Sequence, residues 1–418
     1  MTLWAGGAAL LLVVVAAAPD AAAQATTANA SSTTLFAARP EWRDGQSHTA
    51  TPFLERVGFS TQGTDAAWFK DVRFNVLAWG LADPSVPSGE RVFQGDVDLA
   101  YVQATMFSRR LSLRLGRQLV IGGAVRATSI DGLNTELMIW RGIGVSAYGG
   151  VPVVPRFAVA RGDAIVGGRA FWRQSINTEM GVSFIELLDH GLTARQDLGV
   201  DARWAPSPVW AFNGSAIWSL VESRLAEGEL TARWEPRLNI QVFAGYRHTA
   251  PDLFISRASI FSVFAEERRD EAGGGVSWKP ERWVALYADA HVLWVDAGSG
   301  VDATGRATFT AGVSTIGGEL RRFSEPTNGY TQARAWVVRP LSRTLSVTGD
   351  LSGFLFDHSI NAVSGSLNAT GSATYAFAPG WRAALSGIFG DTPFFTHSFQ
   401  IIARLSYDFS TQLGKVSL

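Results

Sequence analysis

The chain reads as an all-β protein: a transmembrane antiparallel up-and-down β-barrel of about 18 strands, or 16 on a stricter reading. Three observations predict this: an apolar composition with few charges, apolar and polar residues alternating with a period of two, and alternating runs of eleven residues or more. Charged residues make up only 17% of the 418, against roughly 25% in soluble globular proteins. Hydrophobic residues reach 47%, with 43 Gly and 15 Trp, so the chain is neither disordered nor an ordinary cytosolic enzyme. A formal net charge of −1 excludes a globally basic nucleic-acid binder. The absence of cysteine excludes disulfides, thiolate metal sites, a Cys nucleophile and a lipidated N-terminal Cys.

The N-terminus sets the compartment. Ala5 to Ala18 is uncharged and apolar, and Ala23-Gln24-Ala25 supplies an A-x-A cleavage site. Met1-Thr2-Leu3-Trp4 carries no Lys or Arg, so the α-amino group is the only positive charge there. The run falls short of the ~18 residues of a spanning helix. A signal peptide over residues 1–25 and Sec-type export are therefore expected, with the mature chain starting near Gln24 or Thr26. Residues 26–64, rich in Thr, Ala and Ser with Pro40 and Pro52, read as a flexible periplasmic lead. No later window repeats an uncharged run of that length, which excludes a helical multi-pass architecture.

The apolar excess sits in alternation instead. Leu192, Ala194, Leu198, Val200, Ala202 and Trp204 share one face, and Arg195, Asp197, Asp201 and Arg203 the other. Val284 to Trp294 repeats the pattern, with Tyr287, Asp289 and His291 on its polar side. These runs exceed the usual five or six residues of globular strands and match the ~9–11 tilted residues that cross a bilayer. Their apolar faces end in Trp or Tyr, as in the outward band and aromatic girdle of a membrane barrel. Closure is required because lipid offers no partner to an unpaired backbone.

Turns follow a repeat. Trp204-Ala-Pro206, Trp234-Glu-Pro236, Trp278-Lys-Pro280, Trp336 to Pro340 and Phe377-Ala-Pro379 each precede another alternating run. Proline fixes φ and donates no N–H, which suits a tight turn where pairing stops. These read as short periplasmic turns, with longer polar connections outside. Phe399, Ile401, Ala403, Leu405, Tyr407 and Phe409 form the apolar face of a last strand, followed by a tail over 410–418. The barrel is thus expected over 65–409, with strands near 66–79, 92–107, 109–119, 135–149, 164–174, 177–188, 191–204, 208–220, 224–235, 238–248, 271–279, 282–294, 306–322, 329–339, 342–356, 364–377, 380–390 and 396–409. Misreading 164–174 or 306–322 would give 16. This count leaves an aqueous channel and no room for a 22-stranded transporter with its plug.

Charge is uneven along the chain. From Arg109 to Arg173 ten arginines face Asp131, Glu136 and Asp163, a local surplus of +7. In a lumen such arginines, set across from carboxylates, make a transverse field that favours anionic or hydroxyl-rich solutes. Gly116-Arg117-Gln118, Gly122-Gly123, Arg126 and Asp131-Gly132 interrupt the alternation, as a chain folding back into the pore would. Pro251 to Glu271 is a second irregular insert, read as an amphipathic helix, an inward loop or a surface loop. The candidate pore-lining residues are Arg114, Arg117, Arg126, Asp131, Arg195, Asp197, Asp201, Asp289 and His291. The six histidines are scattered, so no catalytic residue, metal site or cofactor is expected.

Asp98 to Gln103, Leu113 to Gln118 and Ile130 to Leu133 resemble the early hairpins of bacterial outer-membrane porins for sugars, including alginate-export-type barrels. They are also similar to the barrel component of exopolysaccharide translocons. The resemblance implies an integral barrel of a Gram-negative outer membrane that passes saccharides or an exopolysaccharide. Its implied partners are membrane lipid, lipopolysaccharide, the barrel-assembly machinery, a periplasmic polysaccharide-export protein and the hydrophilic solute or glycan. A general-diffusion or anion-preferring nutrient porin stays open as a second reading, and an outer-membrane hydrolase or structural barrel as a third.

Overall fold

The computed structural model describes residues 26–413 apart from 44–45, 67–68, 87–92, 154–162, 254–267, 394 and 396. The first strands are β1 (Thr26–Arg43), β2 (Gln46–Ala50), β3 (Phe53–Ala66), β4 (Phe69–Ala82), β5 (Phe93–Met106), β6 (Leu111–Val120), β7 (Thr128–Trp140) and β8 (Ile143–Pro152). Then come β9 (Ala164–Ser175), β10 (Thr178–Asp189), β11 (Leu192–Ser207), β12 (Trp210–Ser219), β13 (Arg224–Arg237), β14 (Ile240–Thr249), β15 (Arg269–Glu281) and β16 (Val284–Val295). The last are β17 (Gly298–Ala311), β18 (Ser314–Ser324), β19 (Gly329–Pro340), β20 (Leu345–Ile360), β21 (Val363–Ala378), β22 (Trp381–Asp391) and β23 (Ser398–Leu413). Each pairs antiparallel with its chain neighbour, except that β3 pairs with β1 and the short β2 only folds back on the end of β1. β1 also pairs with β23 from Thr26↔Leu413 to Ala38↔Ile401, which closes the ring. Of 23 strands, β2 is a five-residue spur, so 22 build the wall.

The all-β antiparallel barrel is as expected, and the count of 18 or 16 is corrected to 22. Two of the four additional strands come from split runs. The segment read as one strand over 135–149 is β7 and β8 joined at Arg141-Gly142, and that over 306–322 belongs to β17 and β18 joined at Gly312-Val313. A register shift between Met138 and Trp140 lets alternation run through the first turn unbroken. Gly142 sits at φ +87, and a Cβ there would lie 2.2 Å from the Arg173 carbonyl oxygen, so the turn admits only glycine. The other two strands are β1 and β3, in the segment expected as a periplasmic lead. The outward face of β1 carries Ala28, Ala30, Ser32 and Thr34, too small and polar to show as an apolar stripe. Ser32 donates to the Glu55 carboxylate of β3 at 2.6 Å, and Thr34 donates to its other oxygen. Two-residue turns make room for 22 strands. At the other end β23 runs through Leu413, four residues beyond the expected end of the barrel, and the rest of the tail, like the signal segment, lies outside the described residues.

Both chain ends of the barrel lie at one rim, called here the terminal rim. Its described turns have two to four residues: 107–110, 141–142, 176–177, 208–209, 238–239, 282–283, 312–313, 341–344 and 379–380. At the far rim the joins include 83–92, 121–127, 153–163 and 250–268. All five aromatic-to-proline turns lie at the terminal rim. Their aromatics join a band of outward rings, including Trp210 and Trp234 stacked at 5.6 Å and Trp381 and Tyr407 at 4.5 Å. Trp336 departs from the pattern: its register with Asp350 puts it on the polar face, where Arg334 stacks on it at 5.4 Å.

Alternation then separates the two faces of the wall. On β11, Leu198, Val200 and Trp204 are exposed on one side, and the Arg195, Asp197 and Asp201 side chains, held in ion pairs, point to the other. Directly opposed residues share a face, so the polar side can be followed from strand to strand around the ring as the lumen.

Candidate functional site

Inside the lumen lies a seven-residue loop, 121–127, between β6 and β7. β6 ends where Gln118 and Val120 turn inward, and the loop crosses the strands that follow instead of rising from the rim. Val125 is 1% exposed, packed with Val120, Ile130, Tyr148, Ile165 and Ile185. The Ala124 N–H donates to Asp201 Oδ1 at 3.1 Å, and the Val125 N–H donates to Ser183 Oγ at 3.4 Å. Arg126 reaches Glu227 Oε2 at 3.1 Å. Burial pulls the Arg126 proton affinity below its ordinary value while Glu227 pulls it back up. The guanidinium stays charged. Glycines on both sides make the space: a Cβ at Gly199 of β11 would fall 2.9 Å from Ala124 Cβ, and one at Gly123 of the loop would meet Arg169 Nε at 2.5 Å.

Beneath the loop the lumen charges form a network. Arg169 binds Glu179 at 2.5 Å and Asp201 at 3.2 Å, and Arg173 binds Glu179 at 2.5 Å and Glu136 at 3.6 Å. Arg195 closes on Asp197, whose side chain is 4% exposed. Further round, Arg321 forks onto Asp302 at 2.6 and 2.8 Å, and Arg334 onto Asp350 at 2.7 and 2.8 Å. Of the arginines over 109–173, Arg126, Arg169 and Arg173 are thus met by carboxylates that later strands supply. Such pairs hold side chains against the wall and set a fixed field across the pore.

Of the nine candidates, Arg114, Arg126, Arg195, Asp197, Asp201, Asp289 and His291 point into the lumen. Arg114 donates to Gln103 Oε1 at 3.0 Å and stacks on Tyr101 at 4.7 Å, with no carboxylate partner among the described residues. His291 lies between Glu271 at 3.1 Å and Asp289 at 3.4 Å. Arg126 and Asp201 meet at the loop, and Arg195 and Asp197 stand close by it. Arg117 and Asp131 are a correction. They oppose one another in register and pair at 2.8 Å, but alternate with the buried Gln118 and Ile130, sharing a face with Leu115, which is 63% exposed. They lie on the outer side, so they cannot constrict the pore. The backfolding is also shorter than 116–132, because β6 and β7 stay in the wall to Val120 and from Thr128. Most of the second insert lies outside the described residues, as do Arg156 and Arg161.

Several lumen groups lay outside the nine candidates. Phe243 and Tyr287 stack at 5.9 Å, Phe323 and Tyr330 at 5.3 Å, and Tyr330 meets Phe354 at 5.7 Å. Their signal was available: each is an aromatic on the polar side of an alternating run. Arg203 and Arg404 also face inward, and neither has a carboxylate partner among the described residues. Arg203 lines a groove of about 700 Å³ with Asn213, Arg233, Gln241, Phe243 and His291. The wall over β21 and its neighbours is instead rich in hydroxyls and amides, with Ser352 opposite Asn368 and Thr348 bonded to Ser372.

No protein-family model and no characterised protein sequence matches the chain. The fold is similar to that of the translocation pore of the P pilus usher PapC, at a TM-score of 0.53 and 10% identity over 91% of this chain and 99% of that one. The outer membrane protein OpdK from Pseudomonas aeruginosa aligns at a TM-score of 0.48 and 10% identity, over 92% of this chain and 99% of that one. OccAB4 from Acinetobacter baumannii aligns at 0.43 and 7% identity, over 93% and 99%.

Proposed function

We propose that the chain is an integral channel of a bacterial outer membrane that passes hydrophilic solutes through its lumen. One observation carries the reading: a closed 22-stranded wall, greasy outside and ionic inside, into which the described residues send a single short loop. Barrels of that size enclose a wide space, and here no plug domain fills it among the described residues. The terminal rim faces the periplasm in this reading and the long joins face outward. Saccharides, or an exopolysaccharide, are the solute class we favour. Hydroxyl-lined wall over β20 and β21 and stacked aromatics on β14, β16 and β18 to β20 offer hydrogen bonds and ring contacts to a sugar. A second reading, an anion-preferring porin, is favoured by Arg203 and Arg404, which face the lumen and form no ion pair among the described residues.

Planar-bilayer recording of the purified, folded protein tests the channel, and proteoliposome swelling with neutral sugars against sugar acids ranks the solutes. We expect stable unitary currents and swelling in neutral sugars. Absence of any current from a folded barrel would overturn the channel. Swelling confined to sugar acids would overturn the neutral-saccharide preference in favour of the second reading.

A further inference from the structure

The two rims differ in chemistry as well as in length. The described turn residues of the terminal rim include Arg109, Arg110, Arg141, Arg282 and Arg343 and no Asp or Glu. None of the five has a carboxylate partner among the described residues, and Arg141 stacks on the outward Trp140 ring at 4.9 Å. The same turns project apolar tips into solvent: Ile176 is 83% exposed, Leu238 fully, with Phe107, Val313 and Leu341 alongside. The described far-rim joins carry Asp83, Asp163, Glu222, Asp252, Asp296 and Glu325 against Arg126 and Arg268.

Grease and unpaired positive charge together do not suit a turn standing in open water. They suit the layer where a bilayer passes from acyl chain to phosphate. The outward tryptophans fix the height. Trp204, Trp210, Trp234 and Trp278 lie one to four residues from the turn tips. At ~3.3 Å per residue and a strand tilt of ~40°, that places the tips on the order of 3–10 Å beyond the ring band. The headgroup layer is roughly 5–7 Å deep on each side. Tips at that height lie in the headgroup layer, where guanidinium groups meet phosphate and bind it in a planar fork.

We propose that the terminal rim is a binding ring for anionic phospholipid headgroups, seated by its apolar turn tips and held by Arg109, Arg110, Arg141, Arg282 and Arg343. The ring anchors the periplasmic end of the barrel and gives it a lipid preference that the acidic far rim lacks. This rests on the membrane-embedded half of the proposed function and not on conduction.

The full protein is reconstituted in vesicles of phosphatidylcholine with phosphatidylglycerol, one or the other brominated, and quenching of tryptophan fluorescence gives the relative affinity of the two lipids. The expected preference for phosphatidylglycerol is roughly fivefold, the weight of one basic residue at an anionic surface. It should fall towards one in ~1 M salt, where screening acts within ~3 Å. The variant with all five arginines changed to glutamine should lose it while keeping the heat-modifiable migration of a folded barrel. Equal quenching by both lipids in the unmodified protein, or a preference unchanged in the variant, would overturn the proposal and leave the ring to a protein partner. No quenching by either lipid would instead overturn the membrane-embedded reading itself.

Discussion

Val125, rather than the more conspicuous Arg126, should decide whether the loop stays folded into the lumen. Burying a valine side chain is worth ~1.5–3 kcal/mol, and Val125 is 1% exposed among five other apolar side chains. Val125→Ser removes that burial and sets a hydroxyl in an apolar nest at a further ~1–3 kcal/mol. The combined loss of about 2.5–6 kcal/mol shifts the docked-to-released ratio by roughly two to four powers of ten. Arg126 and Glu227 are each about a third exposed (36% and 33%), and pairs of that kind are worth ~0.2–1 kcal/mol. Unitary conductance of the two variants in planar bilayers makes the comparison. Val125→Ser should widen the pore, giving larger or flickering currents, and Arg126→Gln should leave the current steady. Unchanged conductance in a folded Val125→Ser barrel, or release by Arg126→Gln alone, would refute the reasoning.

Other outcomes follow from named positions. Gly142→Ala and Gly191→Ala both force an L side chain into positive φ, +87 and +73, but only at Gly142 would the new Cβ strike backbone. Urea unfolding should show a loss near ~1 kcal/mol at Gly191 and a clearly greater one at Gly142. Changing Arg203 and Arg404 together to glutamate should move the reversal potential in a salt gradient towards cations, because each change replaces a lumen cation that no ion pair holds among the described residues with an anion. On the outer face, Glu55→Leu alone strands the Ser32 and Thr34 hydroxyls and should destabilise by ~1–3 kcal/mol. Adding Ser32→Val and Thr34→Val should restore or raise stability, as replacing a whole polar cluster often does.

Sequence alternation revealed the barrel wherever an outward stripe was large and apolar, as on β11, β16 and β23. It failed at β1 because Ser32 and Thr34 occupy that stripe, serving a carboxylate on the next strand. It failed again at Arg141-Gly142, where a shifted register carried the pattern straight through a turn that holds no proline. Gly122-Gly123 did point to the infolded loop, because glycine marks places where backbone must pass close to other atoms. Arg117 and Asp131 were misassigned by residue type, although Leu115 and Leu119 already marked their face as outward. The partners of the lumen arginines were missed for a different reason: Glu179 lies across the β9–β10 hairpin and Asp201 one strand further on, a registration that needs the turn positions, and Glu227 meets Arg126 only because the loop folds into the lumen.

Thirteen successive residue pairs stitch β1 to β23, and a hoop fastened by its own two ends has no smaller version of itself. Until the final strand is in place, the growing sheet carries two raw borders, each able to recruit a stranger. Closure is therefore decided late, by the last strand. A chain cut short before β23 would not yield a narrower pipe but an open sheet, fit for degradation or aggregation.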